Sequence, residues 1–241
     1  MLCNTFDFRL RLHYLKRAMK PLANCRLYTF VDTAYLNGRD PTEVARQLCD
    51  GGSDLIQLRA KTATADEACR IAEKILPVTQ AANVRLVIND FCAVAKKVGA
   101  DICHLGQEDF FDAGFTNVSQ VCGGKPTPLI GLSTHAPDQA QRAIAAGPAY
   151  IAIGPVYATG TKPTAKPVTL EYVRWARANV KIPWFAIGGI NLQTIDSVLE
   201  AGATRICVVS AILNSTDIAA EGRNYRKRLD DVTLAHGTAQ A

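Results

Sequence analysis

A single (β/α)8 TIM barrel of the α/β class, with an N-terminal extension, is the fold that this sequence predicts. Three observations lead to it. Eight short apolar runs alternate with amphipathic stretches along the 241 residues. The runs are continuous, as in Leu86-Val87-Ile88 and Tyr150-Ile151-Ala152-Ile153, which fits strands covered on both faces, as in parallel sheets. Glycine ends a helical stretch just before a run begins at Gly51, Gly99, Gly147 and Gly202. The first three of these recur every 48 residues, two βα units per interval, which favours a barrel over the alternative, a doubly wound sheet.

The eight expected strands are 26–32, 53–59, 84–89, 101–105, 128–133, 149–154, 183–188 and 203–210. Helix starts fall between them. Asp40-Pro41-Thr42-Glu43 supplies an N-cap, a proline at the first helical position and a capping-box glutamate. Thr64 with Glu67 repeats the capping box, and His135-Ala136-Pro137-Asp138, Thr169 and Asn191-Thr194 also read as starts. Pro77 predicts a kink or break in the second helical stretch. Residues 214–231 read as the closing helix. The organisation expected is an extension over 1–23, a barrel over 24–231 and a loose tail over 232–241.

Hydrophobic residues make up 48% of the chain, enough for a sizeable core without staples. The eight cysteines contain no C-x-x-C pair, so free thiols in a reducing cytoplasm are expected over a disulfide framework. The net charge of +5 collects partly at the ends, as at Arg9, Arg11, Lys16, Arg17 and Lys20, then Arg223, Arg226, Lys227 and Arg228. Without an aromatic-interleaved basic stripe, it suits small phosphorylated molecules better than nucleic acid. No apolar run approaches the roughly 20 residues of a spanning helix, so no membrane partner is expected. A homo-oligomer is compatible with the sequence.

In a barrel of this kind the chemistry sits at the carboxyl ends of the strands. The second strand ends Gln57-Leu58-Arg59-Ala60-Lys61, and alternation puts Gln57, Arg59 and Lys61 on one side and Leu58 on the other. Buried cations need a counter-charge. A phosphorylated ligand would provide one, and a solvated polar loop is the plainer alternative. Asp90 and Asp109 end the third strand and follow the fourth. Two carboxylates facing basic residues suit a hard cation such as Mg²⁺, although Asp90 alone reads equally as a helix N-cap and His104 as a core histidine. Ser133 could meet a phosphate or cap a helix. Thr159-Gly160-Thr161-Lys162 is rich in small donors. Gly188-Gly189 with Val209-Ser210 suggests the backbone phosphate site of many barrels, or, for the glycines, only a tight turn.

In this order the pieces Q-L-R-x-K (57–61), I-N-D (88–90), H-L-G-Q-E-D (104–109), G-L-S (131–133), T-x-T-K (159–162), G-G-I (188–190) and V-S (209–210) resemble the thiamine phosphate synthase family over about residues 25 to 215. The resemblance implies a Mg²⁺-dependent transferase of thiamine biosynthesis. It would join 4-amino-2-methyl-5-pyrimidinylmethyl diphosphate to 4-methyl-5-(2-phosphoethyl)thiazole, or its 2-carboxy form, and release pyrophosphate. By position it implies that Gln57, Arg59, Lys61, Asn89, Ser133 and Lys162 hold the pyrimidine diphosphate, within a stretch that includes Leu58 and Ala60. Arg59, Lys61, Ser133 and Lys162 would be catalytic. Asp90 and Asp109 would ligate Mg²⁺, and His104 would line the pyrimidine pocket. Thr159, Gly160, Thr161, Gly189, Val209 and Ser210 would hold the thiazole phosphate. The implied chemistry is dissociative, with the bond to pyrophosphate breaking before the thiazole nitrogen captures the pyrimidine methyl cation. Phe30, where the family often has a small branched residue, and Ala60, where an acidic one is frequent, depart from the pattern. Three rival readings remain: a thiazole tautomerase of the same fold, a non-catalytic thiazole- or thiamine-phosphate-binding regulator, and another phosphate-binding barrel enzyme.

Overall fold

The computed structural model describes residues 19–123, 128–161 and 166–238, with side chains to 232. Eight parallel strands close into a barrel in sequential order. They are β1 (Leu27–Asp32), β2 (Leu55–Arg59), β3 (Arg85–Asn89), β4 (Ile102–Leu105), β5 (Leu129–Thr134), β6 (Tyr150–Ile153), β7 (Trp184–Ala186) and β8 (Ile206–Cys207). Closure is made where Leu27 and Tyr28 pair with Ile206 and Cys207. Around the strands lie α1 (Pro41–Asp50), α2 (Ala65–Ala81), α3 (Cys92–Val98), α4 (Gln107–Asp112), α5 (Pro137–Ala145), α6 (Thr169–Asn179), α7 (Ile195–Glu200), α8 (Ser210–Leu213) and α9 (Ile218–Thr238).

The strands are apolar on both faces because they separate two cores. Val31, Ile56, Leu58, Ile88, Leu132 and Ile151 point outward into the layer shared with the helices. Tyr28, Phe30, Leu55, Val87, Ile102, Tyr150, Phe185 and Cys207 fill the interior. There the rings of Tyr28, Tyr150 and Phe185 meet edge to face, with centroids 5.3–5.9 Å apart. Gly131 makes this possible, since a side chain at that position would run into the Tyr150 ring, whose Oη lies 2.6 Å from where its first carbon would sit.

Local signals act as expected at several helix starts. Asp40 accepts from the Thr42 and Glu43 amides, and Thr64 and Glu67 form the reciprocal capping box. Four expectations need correction. Of the kink or break expected at Pro77, the break does not occur: α2 runs on through it, with Ala68, Ala72 and Ile75 before it and Thr79 after it buried along the same helix, and tertiary packing outweighs the local cost. Cys92 and Cys122 are joined as a disulfide, with Cα atoms 6.1 Å apart. Cys25, Cys49, Cys69, Cys103 and Cys207 are free thiols. β8 is much shorter than 203–210, because the chain leaves the sheet after Cys207 and turns at Val209 into α8. Finally, α9 continues to Thr238, into the segment expected as a loose tail.

At the amino-terminal end of the barrel, part of the expected extension is docked. Leu22 and Cys25 pack on the inner core, and Lys20 Nζ bonds Asp54 at 2.5 Å. Residues 1–18 of that extension lie outside the described residues.

Candidate active site

A cavity of about 660 Å³ opens among the carboxyl ends of the strands, within the size range of pockets that hold small molecules. Gln57, Arg59 and Lys61 from β2 and its exit line it, with Asn89 at the end of β3, Asp90 just after it, His104 on β4, Asp109 on α4 and Ser133 on β5. Thr159, Gly160, Thr161, Gly189, Val209 and Ser210 complete the far side. The fold therefore brings residues from the ends of seven strands, β2 to β8, to one space. Leu58 and Ala60 are not part of it. Strand alternation turns them outward, and both are buried in the layer between barrel and helices. Lys162 lies outside the described residues.

The charges are more closely matched than the sequence suggests. Arg59 Nη1 donates to Asp32 Oδ2 at 2.7 Å, and the Asp32 side chain is only 1% exposed. Asp32 also accepts from the Ala34 amide, so its carboxylate is fixed and the guanidinium with it. The second guanidinium nitrogen reaches the Thr161 carbonyl at 3.5 Å, and the Thr161 hydroxyl meets Tyr35 Oη at 3.1 Å. Lys61 Nζ donates to Asp90 Oδ2 at 2.5 Å, and Asn89 Nδ2 donates to the same oxygen at 2.7 Å.

Asp90 does not cap α3. Phe91 is the N-cap there and makes no side-chain bond. Asp90 instead has a left-handed backbone, φ 64°, uncommon outside glycine, and its carboxylate turns to the cavity. Asp109 lies back over Gly106, with Oδ2 2.6 Å from where a side chain on that glycine would begin. Two aspartates thus line one space beside a lysine and an arginine. Among the described residues, one arginine and one lysine, Arg59 and Lys61, line the cavity together with His104 and His135, against three carboxylates, Asp90, Glu108 and Asp109.

The floor is polar but uncharged. His104 Nδ1 lies 3.0 Å from Tyr150 Oη. Burial pushes the His104 imidazole down to about 4, against an upward pull from Asp90 and with a further downward push from Lys61. Burial also holds the Tyr28, Tyr150 and Cys207 protons in place well above their ordinary values. The cysteine at the cavity wall is therefore a thiol, not a nucleophile.

Gly188 and Gly189 serve close packing as well as the turn. Both have positive φ, and a side chain at 189 would meet Tyr157 Cβ at 2.6 Å and the Ala158 carbonyl at 2.8 Å. The loops after β6 and β7 are laced by Val156 N to Ile187 O at 2.8 Å and Tyr157 N to Gly188 O at 3.0 Å.

Sequence reasoning missed Asp32, Tyr28 and Tyr150. Parity held the signal for the first, since Asp32 shares the inner face of β1 with Tyr28 and Phe30 and stands opposite Arg59 in register. The tyrosines read as core because they also are core.

A family model for thiamine monophosphate synthase matches residues 27–212. The chain belongs to the thiamine monophosphate synthase family. Among members of that family, the thiamine-phosphate synthase of Thermus thermophilus is 42% identical over 180 residues, covering 74% of this chain and 84% of that one. The thiamine-phosphate synthase of Lawsonia intracellularis is 36% identical over 211 residues, covering 87% and 94%. Among solved structures, the thiamine phosphate pyrophosphorylase of Pyrococcus furiosus superposes with a TM-score of 0.75 at 28% identity, covering 88% of this chain and 99% of that one. A 3-hexulose-6-phosphate synthase superposes with a TM-score of 0.61 at 20% identity, a likeness of fold alone.

Proposed function

We propose that this chain is a Mg²⁺-dependent thiamine phosphate synthase. It joins 4-amino-2-methyl-5-pyrimidinylmethyl diphosphate to 4-methyl-5-(2-phosphoethyl)thiazole, or its 2-carboxy form, and releases pyrophosphate. Family membership supports the reaction class. The charge balance of the cavity carries the metal requirement: Arg59 and Lys61 already have carboxylate partners, so these two alone leave little net attraction for a diphosphate. Asp90 and Asp109 fit a hard cation because both line the cavity. No group of three or more metal-ligating side chains occurs among the described residues, so an ion held by Asp90 and Asp109 would have to complete its shell with phosphate oxygens and water. Mg²⁺ held there would supply charge stabilisation for the departing pyrophosphate.

The chain's own residues position the rest. Arg59, held by Asp32, directs a fork of donors at the diphosphate, and Lys61 adds a point charge. Asn89 and Ser133 offer neutral donors beside them. Lys162, assigned from sequence alone, would act on the same leaving group. The amides around Gly189 and Ser210 and the hydroxyls of Thr159 and Thr161 would hold the thiazole phosphate. Phe30, Ala152 and Ile187 add apolar wall to the cavity, a surface that would set the rings together and exclude water from a reactive cation. No protein nucleophile is needed, since the thiazole nitrogen attacks.

The test is direct. The purified protein given both substrates and Mg²⁺ should yield thiamine phosphate and pyrophosphate, EDTA should stop it, and added Mg²⁺ should restore it. Folded protein that yields neither product overturns the proposal. Isomerisation of a carboxythiazole phosphate without the diphosphate would reassign it as a tautomerase.

A further inference from the structure

Under the cavity, four polar side chains form a line through the barrel interior. Gln57 Nε2 donates to Tyr28 Oη. Tyr28 Oη and Tyr150 Oη are 2.9 Å apart, and Tyr150 Oη is 3.0 Å from His104 Nδ1. All four residues are buried. Two phenylalanines would fill this volume without desolvating two hydroxyls, so the hydroxyls are retained at a cost that only their bonding offsets.

A hydroxyl between two partners has one proton to give. A line of two such hydroxyls therefore has only two consistent arrangements, with every proton directed one way or the other. The amide nitrogen of Gln57 faces Tyr28 and can only donate. Tyr28 must then give its proton to Tyr150, and Tyr150 must give its own to His104 Nδ1. That nitrogen is an acceptor, so a neutral imidazole carries its proton on Nε2. Both ends of the line reach the cavity, since Gln57 and His104 line it. One end leaves a carbonyl oxygen for a ligand and the other an N–H.

We propose that Tyr28 and Tyr150 are positioning residues that fix the polarity of this line, presenting an acceptor at Gln57 Oε1 and a donor at His104 Nε2 to one flat heterocycle. The complementary ligand edge carries an amino donor next to a ring-nitrogen acceptor, as the aminopyrimidine half of the substrate does. The inference rests on the synthase reading and adds how the site tells this ring from one with the pattern reversed, such as a hydroxypyrimidine in its keto form. Specificity of this kind comes from the buried groups left unpaired by the wrong partner.

Two measurements test it on the full-length protein. Nitrogen-15 NMR of ring-labelled histidine, with His104 assigned by the loss of its signals in His104→Gln, should show His104 protonated on Nε2 in the wild type and a mixture of tautomers in Tyr150→Phe. Steady-state kinetics of Tyr150→Phe should show KM for the aminopyrimidine diphosphate raised roughly tenfold, as loss of one buried hydrogen bond allows, with KM for the thiazole phosphate unchanged. Turnover by a wild type whose His104 carries its proton on Nδ1 overturns the proposal alone, as does an unchanged pyrimidine KM in the variant. A wild type that makes no thiamine phosphate overturns the synthase reading and this one with it.

Discussion

Arg59 shows what a single residue can and cannot tell in advance. Its presence at the end of an inward-facing stretch is legible from alternation, and so is its need for a counter-charge. Its partner is not, because Asp32 is 27 residues away in the chain and only strand register sets the two side by side. The pairing changes the expected role. A guanidinium bonded to a fixed carboxylate is an oriented donor more than a free charge. Asp32→Asn should therefore lower kcat/KM by roughly 10- to 100-fold through misdirection of Arg59. A double variant with Arg59→Ala should be no worse than Arg59→Ala alone, since the two act as one unit. Kinetics of the three variants check this, and an unchanged kcat/KM in Asp32→Asn would detach Asp32 from the site. Asp90 teaches the same lesson, because the cap that its position offered as an alternative is not made, and a left-handed turn aims its carboxylate at Lys61 and the cavity.

At the scale of elements, the signals that proved reliable are those with a local physical cause. Continuous apolar runs mark the strands because both faces of each are covered. Thr64 and Glu67 start α2 because their bonds stay within one turn. The signals that failed depend on distant chain. Pro77 cannot break a helix whose buried residues continue past it. The Cys92–Cys122 bond links positions 30 residues apart that no motif relates, by tying the first residue of α3 to the turn after the 3-10 helix Val118–Gln120. Closing a loop of that size removes unfolded-state freedom worth about 3.7 kcal/mol. In a domain of this size that corresponds to a fall in Tm of roughly 7–15 °C on reduction. Calorimetry of the native protein with and without reductant measures it. Cys122→Ser should melt at the reduced value and ignore reductant, and identical melting of all samples would show that the bond contributes nothing.

The whole molecule divides its labour between the two ends of the barrel. The carboxyl end holds the cavity. At the amino end, Asp54 gathers the chain: it accepts from Lys20 Nζ at 2.5 Å, the Arg26 amide at 2.6 Å, the Leu27 amide at 3.1 Å and Arg226 Nη1 at 2.7 Å. One carboxylate thereby joins the docked entry segment, the start of β1, the start of β2 and the closing helix α9. Burial pushes the Asp54 carboxyl up, but the Lys20 ammonium, the two amides and Arg226 outweigh it and hold the group below the usual carboxylate range. A depressed folded value means that the unfolded chain binds the proton first. The stabilisation is complete above the unfolded value of about 4 and is lost as pH falls through the lower folded value. Asp54→Asn keeps the shape and the acceptor oxygen but removes the charge. It should destabilise the fold by about 3 kcal/mol at neutral pH, lower Tm by roughly 10 °C, and flatten the loss of stability that the wild type shows in acid. Turnover at a temperature where the variant is fully folded should stay at the wild-type value, because the cavity lies at the other end of the strands. Denaturation across pH, run beside an activity assay, decides it. A variant that melts like the wild type would remove Asp54 from barrel closure, and one that stays folded but loses turnover would show that the two ends are coupled.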